Sequence, residues 1–304
     1  MIRFGALSSL LLLSTTSFAQ LESTTTSTST SGVSKGSSDV SNDNTVATAQ
    51  AKDKKDSITD VSFNAGGLFA AGNSRSAAVT AGVKSKIKRG EHQFTGAAQA
   101  NYAQAATPPA GSTSSVGQPT ETTVENVQAL LRYDWFFAKH WSAFVQTSGR
   151  HDRFQGLDLR YQIGPGIAYY FVQEEKAQFW AEAGYDFQCD WRADSYIKNA
   201  DGSPKFDSDG KPLDQVAPVH NARLFVGVND KLYKGVEFVA SAEYLQDLAD
   251  GNTWRLVFDG SVKANIAKHF ALATAVTVWY ENNPLPTVLN TDVITAVSLV
   301  YNMF

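Results

Sequence analysis

Arginine and carboxylate side chains recur two residues apart through the middle of this chain: Arg132 and Asp134, Arg150 and Asp152, Asp158 and Arg160, Asp190 and Arg192. In an extended strand, residues two apart point to the same face. A guanidinium and a carboxylate so placed can neutralise each other through charge-assisted hydrogen bonds, or can hold a polar ligand between them. The set Arg150, Asp152, Asp158 and Arg160 flanks a tight loop at 153–157. It predicts an ion-pair network across two adjacent strands that pins their register. An anion or sugar site is the sharper alternative.

Other chemistries find less support. Nucleophilic catalysis needs a hydroxyl or thiol beside a base, with a third group orienting the base. The histidines are His92, His140, His151, His220 and His269; His140 and His269 fall in short turns, and only His151 is placed by parity on the outer face near the long-loop rim, where Thr147 shares its face. No orienting group lies on that face, so no enzyme is expected. Asp201, Asp207, Asp209 and Asp214, with Gly202 and Gly210, form an acidic loop. Their spacing departs from the EF-hand pattern, so solvated charge is the better reading than calcium. A lone Cys189 rules out an internal disulfide framework and a cysteine-rich metal site. No phosphate-cradling glycine loop is present. No cofactor is expected, and a net charge of −4 points away from nucleic acid.

The elements carrying these residues are strands. Across 252–266, Trp254, Leu256, Phe258, Gly260, Val262, Ala264 and Ile266 alternate with Arg255, Val257, Asp259, Ser261, Lys263 and Asn265. Twelve such segments can be read, over 57–70, 76–88, 92–105, 121–136, 140–153, 157–171, 177–192, 219–230, 235–247, 252–266, 269–281 and 291–303. Pro165, without a ladder donor, suggests a bulge in the sixth. Short connections alternate with long ones at 106–120, 193–218 and 282–290. An even strand count, short turns at one end and long loops at the other describe an antiparallel transmembrane β-barrel of about twelve strands, ten to fourteen being compatible. No window is apolar for long enough to form a spanning helix.

Alternation then assigns a lumen face. It comprises Arg132, Asp134, Arg150, Asp152, Asp158, Arg160, Glu182, Asp186, Asp190, Arg192, Arg223, Glu237, Glu243, Arg255, Asp259 and Lys263. Eight-stranded barrels are filled by side chains and sixteen-stranded barrels leave a wide channel. Twelve strands fit either a lumen filled by paired charges or a narrow hydrated pore. Aromatics crowd the strand ends near the short turns: Trp135, Phe136, Phe137, Trp141, Tyr169, Tyr170, Phe171, Phe179, Trp180, Tyr233, Phe238, Phe270, Tyr301 and Phe304. They read as an interfacial girdle.

The N-terminus divides into two further stretches. Arg3, an apolar run through Leu10–Leu13 and Ser17-Phe18-Ala19 match a secretory signal peptide over 1–19. Residues 20–55 are rich in Ser and Thr and are expected to be a flexible segment, followed by the barrel over 56–304. A final strand ending in Phe304 resembles the signal read by the outer-membrane assembly machinery, although Phe304 falls out of phase with Tyr301.

Three further stretches carry a family resemblance: Gly72-Asn73-Ser74-Arg75-Ser76; the block Arg150-His151-Asp152-Arg153-Phe154-Gln155-Gly156-Leu157-Asp158-Leu159-Arg160 leading to Gly164-Pro165-Gly166-Ile167-Ala168-Tyr169; and Asn283-Pro284 followed by Thr291-Asp292. These resemble the domain-of-unknown-function 481 family, whose members are often labelled salt-induced outer-membrane proteins. The resemblance spans about 56–304 and implies a barrel in a Gram-negative outer membrane, with no catalytic residues to carry over. The expected partners are outer-membrane lipid, the assembly machinery and small polar solutes. The functional expectation is a narrow charged-lumen pore or binding barrel. A plugged structural barrel of the stressed envelope is the alternative, and a lipid-modifying enzyme the third reading.

Overall fold

The computed structural model describes residues 57–71, 75–109, 112, 114–174, 176–207, 210–284 and 289–302. The expected signal peptide (1–19), the Ser/Thr-rich segment (20–55), Gly72-Asn73-Ser74, Asp209 and Phe304 lie outside them. Twelve strands follow in chain order: β1 (Ser57–Ala70), β2 (Ser76–Arg89), β3 (His92–Ala105), β4 (Glu121–Trp135), β5 (Trp141–Asp152), β6 (Leu157–Gln173), β7 (Ala177–Arg192), β8 (Val216–Tyr233), β9 (Val236–Asp247), β10 (Trp254–Asn265), β11 (Phe270–Glu281) and β12 (Thr291–Asn302). Each pairs antiparallel with its sequence neighbours, and β1 closes the ring against β12. Every backbone donor in a closed ring can find a partner strand, which is what hydrocarbon demands of a spanning sheet.

Closure is uneven. β1 pairs with β2 along its whole length, from Ser57↔Arg89 to Ala70↔Ser76. Against β12 the registered pairing runs only from Ser62↔Asn302 to Ala65↔Leu299, the shortest ladder among the described residues.

The alternation read from the sequence is the in–out alternation of the wall. Leu131, Val145, Ile167, Leu224, Phe258, Leu272 and Val297 face outward and are exposed, as lipid-facing residues of a barrel are. At the short-turn end, outward rings form an aromatic girdle. Trp135 packs with Phe137 (5.6 Å), Trp141 with Tyr169 (4.7 Å) and Phe171 with Phe179 (5.0 Å). Phe136, Tyr170 and Trp180 are corrections to that girdle: they turn inward and are buried. Each shares its strand's parity with a lumen residue, Trp180 with Glu182 for example, so alternation overrides closeness to a turn.

Two local irregularities matter for the site. Pro165 sits in register opposite Val145 with no bulge. Glycines at 164, 166 and 184 leave room there: a Cβ on Gly166 would lie 2.8 Å from the Ala183 carbonyl oxygen, so β6 and β7 approach closely beside the proline. The bulges in β6 lie instead at Leu157/Leu159 and Tyr170/Val172. The first turns Leu157 into the lumen and Asp158 out of it, because one extra residue flips the face of what precedes it. Asp158 is exposed, contrary to its expected lumen position.

The longest loop folds back on the rim. A single helical turn, α1 (Asp194–Ile197), is followed by bridges Lys198↔Pro204 and Phe206↔Pro212. The Tyr196 hydroxyl donates to the Phe154 carbonyl (2.7 Å), and Ala193 N donates to Gly156 O (2.9 Å). Burial and the nearby Asp152 carboxylate raise the Tyr196 phenol above its ordinary value.

Candidate functional site

The lumen holds two charged layers of opposite character. The first lies toward the short turns. Arg132 on β4 donates from Nε and Nη2 to Asp134 Oδ1 (3.0 and 2.8 Å) and from Nη2 and Nη1 to Glu182 Oε1 and Oε2 on β7 (3.0 and 3.1 Å). Glu182 Oε2 also accepts from Arg223 Nη1 on β8 (2.8 Å), and its Oε1 from the Trp180 indole (3.2 Å). Arg223 Nε donates in turn to Glu243 on β9. Four strands are thus tied by one chain of charges. The Arg132 guanidinium lies 3.8 Å from the Phe144 ring centre. Phe136, Phe144, Ala168, Tyr170, Trp180, Phe225 and Val239 form a single buried cluster around it. Lys88 on β2, two strands from β4, reaches over Phe136 at 5.4 Å. Charges removed from water are tolerated here because nearly every lone pair and N–H of Arg132, Asp134 and Glu182 is engaged.

The second layer lies toward the long loops and is only partly paired. Arg160 on β6 makes a two-armed contact with Asp190 on β7 (both 2.7 Å). Arg150 pairs with Asp152 two residues along β5 (2.9 Å), and Asp152 Oδ1 also accepts from Phe154 N and Gln155 N, shaping the tight turn. Asp158 is exposed and takes no part in the expected cross-strand network of Arg150, Asp152, Asp158 and Arg160. Arg150 pairs within its strand, Arg160 pairs with the next strand along, and Asp158 faces out, its carbonyl bonded to His151 (2.9 Å). Asp186 accepts from the amides of Gln162 (3.1 Å) and Asn221 (3.2 Å). Asp259 accepts from Thr277 (2.6 Å), and Lys263 pairs with Glu237 (2.9 Å).

Arg255 on β10 and Trp279 on β11 complete this layer. The indole has the Arg150 guanidinium 5.0 Å from one ring centre and that of Arg255 at 5.1 Å. β5 and β11 are diametrically opposed in the ring of twelve, so Arg150 and Trp279 meet across the lumen. Arg160, Leu245, Arg255 and Trp279 line two chambers at once. The central one has a cavity volume of about 130 Å³, and the outer vestibule beneath the long loop about 670 Å³. These four side chains form the boundary between them.

Alternation placed the paired arginines and carboxylates of both layers inward, but it wrongly added Asp158 and left out Lys86 and Lys88, which are buried. It did not single out Trp279, Phe144 or Gln99, all inward. The signal was present, since Trp279 shares parity with Thr277 and Phe144 with Arg150, but apolar or amide residues on a polar face carry no obvious chemistry. Loop carboxylates serve their own turns: Asp201 accepts from Ser203 N (2.9 Å) and Oγ (2.6 Å), which holds it below the usual aspartate value, and Asp207 accepts from Lys211 N (2.8 Å).

The fold has relatives among solved barrels. The NanC porin aligns over 81% of this chain and all of its own length, with 11% identity and a TM-score of 0.46. The translocator domain of the autotransporter NalP from Neisseria meningitidis aligns over 84% of this chain and 91% of its own, with 11% identity and a TM-score of 0.41. A porin solved at 1.8 Å aligns over 81% of this chain and all of its own, with 6% identity and a TM-score of 0.32. No curated protein sequence matches the chain. The model of one family matches residues 63–303, and the chain belongs to that family, described as DUF481, a protein of unknown function.

Proposed function

We propose that this barrel lies in the outer membrane, short turns toward the periplasm, and that it binds and slowly passes small polar solutes. The observation that carries the reading is the pair of stacked chambers joined at Arg160, Leu245, Arg255 and Trp279. A barrel serving only as a wall would gain stability by filling that space. The chambers stay open beneath the long loop, with polar and charged groups on their walls, as a selective passage requires. The Arg132 layer below them is the restriction that keeps flux low.

The reading is non-enzymatic. Thr147 Oγ donates to the Gln162 carbonyl (2.9 Å), and His151 bonds to the Asp158 carbonyl, so both groups are directed to backbone and not to each other. A second reading, a plugged barrel that reinforces the envelope, is favoured by the complete burial of Arg132, Asp134 and Glu182 side chains.

Planar-bilayer conductance of the purified protein separates the two. A solute channel gives small discrete steps, and Trp180→Ala, which removes an indole from the restriction, enlarges them. Absence of current from both proteins, with loss of envelope integrity on deletion of the gene, favours the structural barrel and rejects the channel.

A further inference from the structure

The boundary between the chambers contains a cation whose hydrogen-bonding capacity is barely used. Arg255 is 8% exposed. Of its five N–H groups, one makes a hydrogen bond among the described residues, Nη1 to Gln188 Oε1 (3.2 Å). Its Nε is buried with no partner, and the nearest carboxylate oxygen, on Glu281, lies 3.8 Å from Nη2, beyond hydrogen-bond reach. The contrast with Arg132 in the other layer is sharp, since there the donors meet two carboxylates and an amide. Gln188 offers no carboxylate to this guanidinium, because it is neutral and its own amide is committed to Asp190 (3.0 Å).

Nor is Arg255 alone. Arg150 and Arg160 line the same cavity, and Arg150 and Arg255 flank the same indole. Arg150 and Arg160 have Asp152 and Asp190 as partners, and the carboxylates of Asp186, Glu243 and Asp259 line the same cavity, so of its three arginines Arg255 is the one with no carboxylate within hydrogen-bond reach among the described residues. On the wall formed by β3, Gln99 also lines this cavity, is 4% exposed, and has a buried Oε1 with no partner. The cavity therefore presents an unused charged donor on one wall and an unused acceptor on another. An indole beside the donor offers a face for C–H groups.

We propose that the central cavity is a binding site for a small polyhydroxylated carboxylate, its carboxylate on Arg255 and its hydroxyls toward Gln99. The carboxylate replaces the missing partner of Nε, and a hydroxyl hydrogen donates to Gln99 Oε1. The inference rests on the solute-binding reading above and names its ligand class.

Isothermal titration of the full barrel in detergent micelles tests it with three six-carbon probes: gluconate, which has charge and hydroxyls; hexanoate, which has charge alone; and sorbitol, which has hydroxyls alone. Wild type is expected to bind gluconate most tightly. Arg255→Gln is expected to weaken gluconate at least about tenfold, the loss typical of a charge-assisted hydrogen bond, and to reduce it to the level of sorbitol. Gln99→Leu is expected to weaken gluconate several-fold and leave hexanoate unchanged. If Arg255→Gln fails to give a heat-modifiable folded band, Trp279→Leu takes its place, with the same direction expected. Equal binding of gluconate by wild type and these variants, or no gluconate binding by wild type, overturns the site. A barrel that conducts without binding gluconate loses this site and keeps the channel. One that binds gluconate without conducting loses the channel and keeps the site.

Discussion

The two charged layers of the lumen use the same residue types and reach opposite ends. Near the short turns, Arg132 and Arg223 share Glu182, and Phe144 covers the first guanidinium. Near the long loops, Arg150, Arg160 and Arg255 surround a cavity, and only the first two have carboxylates within bonding distance. Charge content does not separate the layers. What separates them is whether each cation has been given its anion and whether aromatic rings fill the remaining volume. A layer whose arginines all reach carboxylates behaves as core even with Arg223 Nη2 unpartnered, whereas a cation that reaches none costs stability and is retained where a ligand can complete it.

Breaking the closed layer should have the largest effect. Arg132→Leu leaves Asp134 and Glu182 buried without their shared cation, and a loss of about 3–5 kcal/mol is expected, read from urea unfolding of the refolded barrel by intrinsic fluorescence. A loss under about 1 kcal/mol would mean that water reaches this layer and that the contrast is false. Gly156→Ala should cost less, about 1–2 kcal/mol. Gly156 has φ +68, and a Cβ there would run into the Tyr196 ring. The damage should stay at the rim, measured as faster proteolysis of the 193–215 loop with the barrel intact.

The open layer should tolerate loss of its cation. Arg255→Gln is expected to change unfolding free energy by less than about 1 kcal/mol, because one lost hydrogen bond is offset by relief of a buried, poorly paired charge. A penalty as large as that of Arg132→Leu would show Arg255 to be structural. The smallest effect is at the β9–β10 turn, where the Thr253 hydroxyl and the Asn252 amide hold the Asp250 carboxylate below its ordinary value. A lowered folded value stabilises the turn above the unfolded aspartate pKa and loses that contribution as pH falls through the folded one. Amide exchange at Asn252 should therefore accelerate on acidification in the wild type and be nearly pH-independent, beyond intrinsic chemistry, in Asp250→Asn.

Much of this architecture can be read from the sequence because a period of two is a strict geometric consequence of the extended chain. The alternation across Phe179–Trp191 identifies β7 and assigns Glu182, Asp186 and Asp190 to the lumen without further information. The same rule fails at Asp158, because the bulge at Leu157/Leu159 inserts a residue that composition does not announce. At Trp180 the rule holds, since parity with Glu182 puts the ring inside, and it is the interfacial preference of aromatics that misleads. Pairing lies beyond the reach of alternation. Nothing local tells that Arg160 prefers Asp190 to Asp152, that Arg150 reaches an indole six strands away, or that Glu281 stops 3.8 Å short of Arg255. Those facts depend on the curvature of the closed ring, which sets which inward side chains converge.

The seam between β1 and β12 has a mechanical consequence. Elsewhere the wall is stitched along nearly the full height of each strand, but here, among the described residues, the registered pairing runs only from Ser62↔Asn302 to Ala65↔Leu299. Under heat or lateral strain a cylinder parts along its shortest weld, and the cooperative unit holding the least free energy yields first. This barrel should therefore unfurl from its two terminal strands, with the seven-strand arc from β4 to β10 that carries the ionic layers surviving as the last ordered piece.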